Sequence, residues 1–127
     1  MQTILEVMNH NPIVCTADTR VAEVKHLMKK YDYEEILVLD SVEDRRPVGM
    51  ISLKDMQTED AEEAEIPSDV SAAECMRAIP AVVSEMSSLN DSLTIMRENY
   101  LDRIAVVDLS GHFTGLLEKK NVTSVLM

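Results

Sequence analysis

Shifted by 68 positions against itself, the sequence sets Met8 on Met76, Pro12 on Pro80, Val14 on Val82, Met28 on Met96, Ile36 on Ile104, Val38 on Val106 and Asp40 on Asp108. Past the aspartates the shift falls to 66, because the first copy spends two more residues on its turn. Gly49 then meets Gly115, Ile51 meets Leu117 and Lys54 meets Lys120. A repeat of this length restricts the chain to two copies of one small unit, which diverge most cheaply in their turns. A unit of under roughly 60 residues buries too little apolar surface to fold well alone, so the two are expected to fold together.

Each copy reads as β-α-β-β-α. Val14 or Val82 opens a short extended segment, and a helical apolar stripe follows: Val21, Val24, Leu27, Met28 and Tyr31 in copy one, Leu89, Leu93, Met96 and Tyr100 in copy two. Thr19 and Ser87 or Ser88 are the expected N-caps. The runs Ile36 to Leu39 and Ile104 to Val107 are too short for helices and read as buried strands ended by Asp40 and Asp108. Return strands are expected over Val48 to Ser52 and Phe113 to Leu117, leading to closing helices near Leu53 to Met56 and Lys119 to Leu126. Ile4 to Met8 reads as a short helix that copy two repeats as Ala73 to Met76. The organisation predicted is a first unit over residues 1–56, a linker over 57–71 and a second unit over 72–127. The linker carries Glu59, Asp60, Glu62, Glu63, Glu65 and Asp69 with no basic residue, so it repels itself and reads as solvated, with room for a helical stretch.

Hydrophobic residues make up 46% of the chain, enough for an ordinary core, but aromatics only 3%, with nine Met and no Trp. The core is therefore expected to be aliphatic and adaptable. A net charge of -11 opposes binding to nucleic acid, whose affinity rests largely on Lys and Arg neutralising phosphates. No apolar run approaches the roughly 20 residues needed to span a bilayer, so no direct membrane insertion is expected. Cys15 and Cys75 show no CxxC spacing and no secretory signal accompanies them, which predicts reduced thiols and a cytoplasmic location. His10, His26 and His112 lack metal-ligand spacing. No Gly-rich phosphate loop and no nucleophile with an adjacent base is present, so neither catalytic residues nor a catalytic cofactor are expected. Asp40 and Asp108 are read as turn formers.

A tandem repeat of this element order resembles the CBS-domain family. Each copy has a Pro before its first strand and a buried strand ending in Asp, and the first copy continues with a segment patterned as Gly, hydrophobic, any residue, Ser or Thr, two residues and Asp. Two copies make the pair often called a Bateman module. The resemblance implies an α+β (α/β-like) fold of two β-α-β-β-α units related by pseudo-twofold symmetry, sheets packed together with helices outside. It also implies a regulatory rather than enzymatic role, an adenine-containing ligand (AMP, ADP, ATP or S-adenosylmethionine type) between the copies, a homodimer of pairs, and a regulated partner protein. The most specific match is Gly49 to Asp55, GMISLKD. By resemblance, Asp55 accepts hydrogen bonds from ribose hydroxyls and Ser52 contacts the ribose or phosphate region. The same two residues also suit capping of the closing helix, and both readings stand.

In copy two, GLLEKKN from Gly115 to Asn121 puts Glu118 in the place of Ser and Asn121 in the place of Asp. The resemblance then implies one competent cleft, built from Met50, Ser52 and Asp55 with Pro80, Leu101 and Asp102. Met50, Pro80 and Leu101 would form an apolar slot for the base, with plain core packing as their alternative role. A degenerate second cleft would involve Pro12, Tyr33, Arg103, Leu116, Glu118 and Asn121. Glu34, Glu35 and Asp102 make the competent cleft acidic and favour mono-phosphorylated or cationic adenosyl ligands over a triphosphate. A ligand-independent dimerisation or docking module is the alternative function, and divalent-cation sensing by the acidic linker is a third.

Overall fold

A computed structural model describes residues 2–57 and 69–126, so most of the acidic linker lies outside the described residues. The fold is mixed α+β, with five α-helices and two small sheets among those residues. The chain divides into two compact units, residues 13–79 and residues 1–12 with 80–127.

In the 13–79 unit, β1 (Val14–Thr16) lies parallel to β2 (Glu35–Leu39), and α2 (Val21–Tyr31) makes the crossover. The antiparallel partner β3 (Pro47–Ser52) follows, and a single 3₁₀ turn, Lys54–Met56, closes the repeat. Helix α3 (Ala72–Cys75) and the two-residue β4 (Arg77–Ala78) complete the unit, with β4 pairing antiparallel to the free edge of β3. Sheet order is β1-β2-β3-β4. The other unit repeats the plan with β5 (Val82–Ser84), α4 (Leu89–Glu98), β6 (Arg103–Val107), β7 (Phe113–Glu118) and α5 (Lys119–Leu126), in sheet order β5-β6-β7. Helix α1 (Ile4–Val7) belongs to it, and Asn9 forms a bridge with Leu116 where β4 meets β3 in its counterpart.

The strand registers obey the 68 and 66 shifts. Glu35 faces Ser52 as Arg103 faces Glu118, and both hairpins carry an irregularity at the same place, between Val38 and Leu39 and between Val106 and Val107. The cores correspond almost residue for residue. Val21, Met28, Ile36, Val38, Ile51 and Met56 fill one, and Leu89, Met96, Ile104, Val106, Leu117 and Val122 fill the other. Cys15 takes the place of Val83, whereas Cys75 ends α3 beside the same core as Cys15, and both thiols are free.

Division by sequence and division by packing differ in one way. The repeat suggests units at 1–56 and 72–127, but each leading segment packs with the other copy's strands. Ile4 and Met8 are buried with Val83, Ile104 and Leu117, and Ala72 is buried with Val21, Val38 and Ile51. The leading segment of one repeat supplies the strand edge and the apolar side chains that the other repeat's sheet lacks. Glycine makes this possible, because a Cβ at Gly49 would lie 2.5 Å from Met76 Sδ and one at Gly115 would lie 2.6 Å from Met8 Sδ.

The expected cap at Thr19 is not made. The Thr19 hydroxyl accepts from the Thr16 N–H at 3.0 Å, Arg20 is the N-cap of α2 and makes no side-chain cap, and the Val21 N–H donates to the Val70 carbonyl at 2.8 Å. Ser88 does cap α4, accepting from the Asp91 N–H at 3.0 Å.

Candidate functional site

The end of β3 and the 3₁₀ turn after it place Ser52 and Asp55 in a reciprocal clasp. Ser52 donates to Asp55 Oδ2 through its backbone N–H at 2.8 Å and through its hydroxyl at 2.9 Å, and Ser52 Oγ accepts from the Asp55 N–H at 3.3 Å. The reciprocal bonds resemble those of a capping box, in which two groups at a helical start satisfy each other's orphan donors, although the N-cap of the turn itself is Leu53, which no side chain caps. The clasp also fixes the carboxylate, whose side chain is 14% exposed.

The clasp has a further partner that the sequence pattern does not mark, Arg77. Its Nε donates to both Asp55 oxygens, at 3.1 and 3.0 Å, and its Nη2 donates to Glu35 Oε2. Arg77 stands 22 residues from Asp55 and 42 from Glu35 in sequence. Only the seating of β4 on β3, with Arg77 in register with Met50, brings it there. The available signal was its alignment with Asn9 at the same point of the repeat, which is uninformative until both are seen to pair with a strand edge. Burial pushes the Asp55 carboxyl up, but the hydrogen bonds from Ser52 and Arg77 outweigh it and hold the group below its ordinary range. The acidic rim anticipated from Glu35 is thus shared with a cation.

Beside the clasp lies a groove of about 660 Å³ whose lining includes Tyr33, Glu34, Ser52, Leu53, Lys54 and Gln57. The other unit holds a groove of about 320 Å³ lined by Asp102, Arg103, Glu118, Lys119, Lys120 and Thr123. Five positions correspond under the repeat, from Glu34 and Asp102 to Gln57 and Thr123, so each unit carries the same feature where its central strand begins and its return strand ends. Lys25, Met28 and Lys29 of α2 enlarge the first.

The remaining expected site residues are distributed as follows. Met50 is half-buried in β3, in register with Leu37 and Arg77. Pro80, Leu101 and Asp102 belong to the unit of residues 1–12 and 80–127, where Pro80 is exposed and Leu101 packs against the core. Asp102 lines a groove with Arg103 and Glu118, residues assigned to the degenerate cleft. Of that set, Tyr33 lies in the other unit, its hydroxyl accepting from the Ile13 N–H at 3.2 Å. Leu116 is buried and bridged to Asn9, Pro12 is half-buried, and Asn121 is exposed in the first turn of α5. Glu118 pairs with Lys120 Nζ at 3.3 Å.

Asp40 and Asp108 do shape turns: Asp40 Oδ1 accepts from the Ser41 and Arg46 N–H groups, and Asp108 Oδ1 from those of Ser110 and His112. His10 reaches the Leu5 carbonyl at 2.7 Å, and His112 lies 3.4 Å from Asp108. Among the described residues no cluster of three or more His, Cys, Asp or Glu is placed to hold a metal. None of their helices is long and apolar enough to cross a membrane.

Comparison with known proteins agrees with the repeat. The chain is 24% identical over 116 residues to inosine-5'-monophosphate dehydrogenase of Streptococcus pyogenes, covering 91% of this chain but only 22% of that protein. It thus spans about a fifth of the length of the curated relatives it matches. CBSX2 of Arabidopsis thaliana, solved in complex with AMP, is similar in fold, with a TM-score of 0.75 and 21% identity over 98% of this chain and 95% of its own. A CBS domain-containing protein of unknown function from Bacillus anthracis gives a TM-score of 0.81 at 18% identity, over 98% of this chain and 92% of its own. The CBS domain model matches twice, at residues 4–62 and 69–127, and with two copies spanning nearly its whole length this chain belongs to the CBS-domain family as a tandem pair.

Proposed function

We propose that this CBS pair is a regulatory ligand-sensing module, and that the Ser52–Asp55 segment holds the ribose of an adenine-containing ligand of the AMP, ADP, ATP or S-adenosylmethionine type. The observation that carries the reading is the clasped carboxylate. Asp55 is oriented by two hydrogen bonds from Ser52, which spares a ligand the cost of ordering it. The complex of CBSX2 with AMP supports the ligand class for a similar fold. Copy two, with Glu118 tied to Lys120 and Asn121 exposed, is the weaker candidate. Binding that favours one conformation of the pair shifts its population toward that state and is read by a partner protein. A homodimer of pairs is the expected assembly.

Calorimetry with AMP, ADP, ATP and S-adenosylmethionine tests the reading. Binding that weakens about tenfold to a hundredfold in Asp55→Ala is expected, since a hydrogen bond to a charged group contributes roughly 1.5–3 kcal/mol. Absence of heat with all four ligands, or affinity indifferent to Asp55, contradicts it. A second reading, a docking module that needs no ligand, is favoured by one observation: Asp55 already has protein donors on both oxygens. Partner binding unchanged between dialysed and nucleotide-supplemented protein supports that reading.

A further inference from the structure

Asp55 is held from two sides, by Ser52 and by Arg77. Ser52 grips it within one turn of chain, through a backbone N–H that cannot leave without undoing the end of β3. Arg77 grips it with a single N–H divided between two oxygens, from a side chain that is 54% exposed and has a second anchor on Glu35. A long, solvated side chain that shares one donor between two acceptors is the partner that yields first. On the ribose-grip reading the guanidinium stands on the oxygens that a ligand's hydroxyls need, and its bond to Glu35 is a second anchor independent of Asp55.

We propose that Arg77 is an internal competitor for the Asp55 carboxylate and thereby a specificity-determining residue: a ligand hydroxyl reaches Asp55 only by displacing the guanidinium. The proposal rests on the reading of Ser52 and Asp55 as a ribose grip. It adds a selectivity to that reading. An uncharged nucleoside displaces the cation and returns nothing to it, whereas a ligand that also carries an anion gives the displaced guanidinium a new neighbour of opposite charge. Bare nucleosides are therefore discriminated against, and nucleoside monophosphates less so.

The test is calorimetry with adenosine and with AMP on the full chain and on Arg77→Met, Arg77→Lys, Asp55→Ala and the Arg77→Met/Asp55→Ala double variant. Adenosine carries no charge and isolates competition for the carboxylate. Arg77→Met is expected to bind adenosine about 2- to 5-fold more tightly than the parent, the equivalent of freeing one exposed ion pair. Arg77→Lys, which keeps the charge without the fork, falls between them and serves if Arg77→Met does not fold. The gain disappears in the double variant, and the preference for AMP over adenosine narrows in Arg77→Met. Adenosine bound by Arg77→Met no more tightly than by the parent overturns the competition while leaving the grip intact. No binding of either ligand to any variant overturns both.

Discussion

Replacing Gly49 by Ala probes the contact on which the Arg77 arrangement depends. Its added Cβ would meet Met76 Sδ at 2.5 Å, the Arg77 carbonyl oxygen at 2.8 Å and Met76 Cγ at 3.0 Å, where favourable contacts begin near about 3.5 Å. The Met76 thioether can rotate aside. The Arg77 carbonyl cannot, because β4 is pinned in register by Gly49 facing Ala78 and Met50 facing Arg77. Overpacking of this kind costs about 1–3 kcal/mol, and the stiffer unfolded chain returns about 0.4–1 kcal/mol. The difference spans about 0–2.6 kcal/mol, and because the Arg77 carbonyl cannot move aside a net loss in its upper part, about 1–2.6 kcal/mol, is expected, read from urea denaturation as a lowered midpoint with unchanged slope. Met76→Ala in the Gly49→Ala background should recover only the thioether's share, since the carbonyl clash stays. Gly115→Ala should behave alike, its Cβ lying 2.6 Å from Met8 Sδ and 2.9 Å from the Asn9 carbonyl oxygen. A Gly49→Ala protein that unfolds at the parent's midpoint would refute the seating of β4 on β3.

Three further outcomes are expected. Tyr100 is 97% exposed at φ 55°, so Tyr100→Gly should stabilise by about 0.5–1 kcal/mol and raise the melting temperature by about 2–5 °C; a lower melting temperature would contradict this. Asp55 is held below the ordinary range as described, Asp40 chiefly by the Arg46 N–H, Asp108 chiefly by the His112 N–H and Glu74 chiefly by the Ser71 N–H. A carboxyl depressed by folding contributes stability above its unfolded pKa of about 4 and loses it as pH falls through the lower folded value. Urea midpoints should therefore fall below about pH 4, and a midpoint that rises on acidification would reverse the sign. Burial, with Glu23 adding, pushes the Cys15 thiol up to about 12, and Cys75 is raised less while partly exposed. Alkylation of native protein at about pH 8 should label Cys75 before Cys15, and Cys15 should react readily only after unfolding.

The duplicated plan is legible in the chain alone. Periodicity placed α2 and α4, the apolar runs placed β2 and β6, and the two shifts reproduce the facing of Glu35 with Ser52 and of Arg103 with Glu118. These features are legible because they are local: a helix stripe, a buried run and a short hairpin are set by residues near one another in the chain. The Ser52–Asp55 clasp was legible for the same reason, since its partners are three residues apart. Where each leading segment packs, why positions 49 and 115 need glycine and which cation sits on Asp55 follow only from the folded arrangement. Arg77 looks no different in sequence from any surface arginine. It reaches Asp55 because β4 adds to an open strand edge, and which edge a two-residue strand takes depends on backbone donors and acceptors that every residue carries alike.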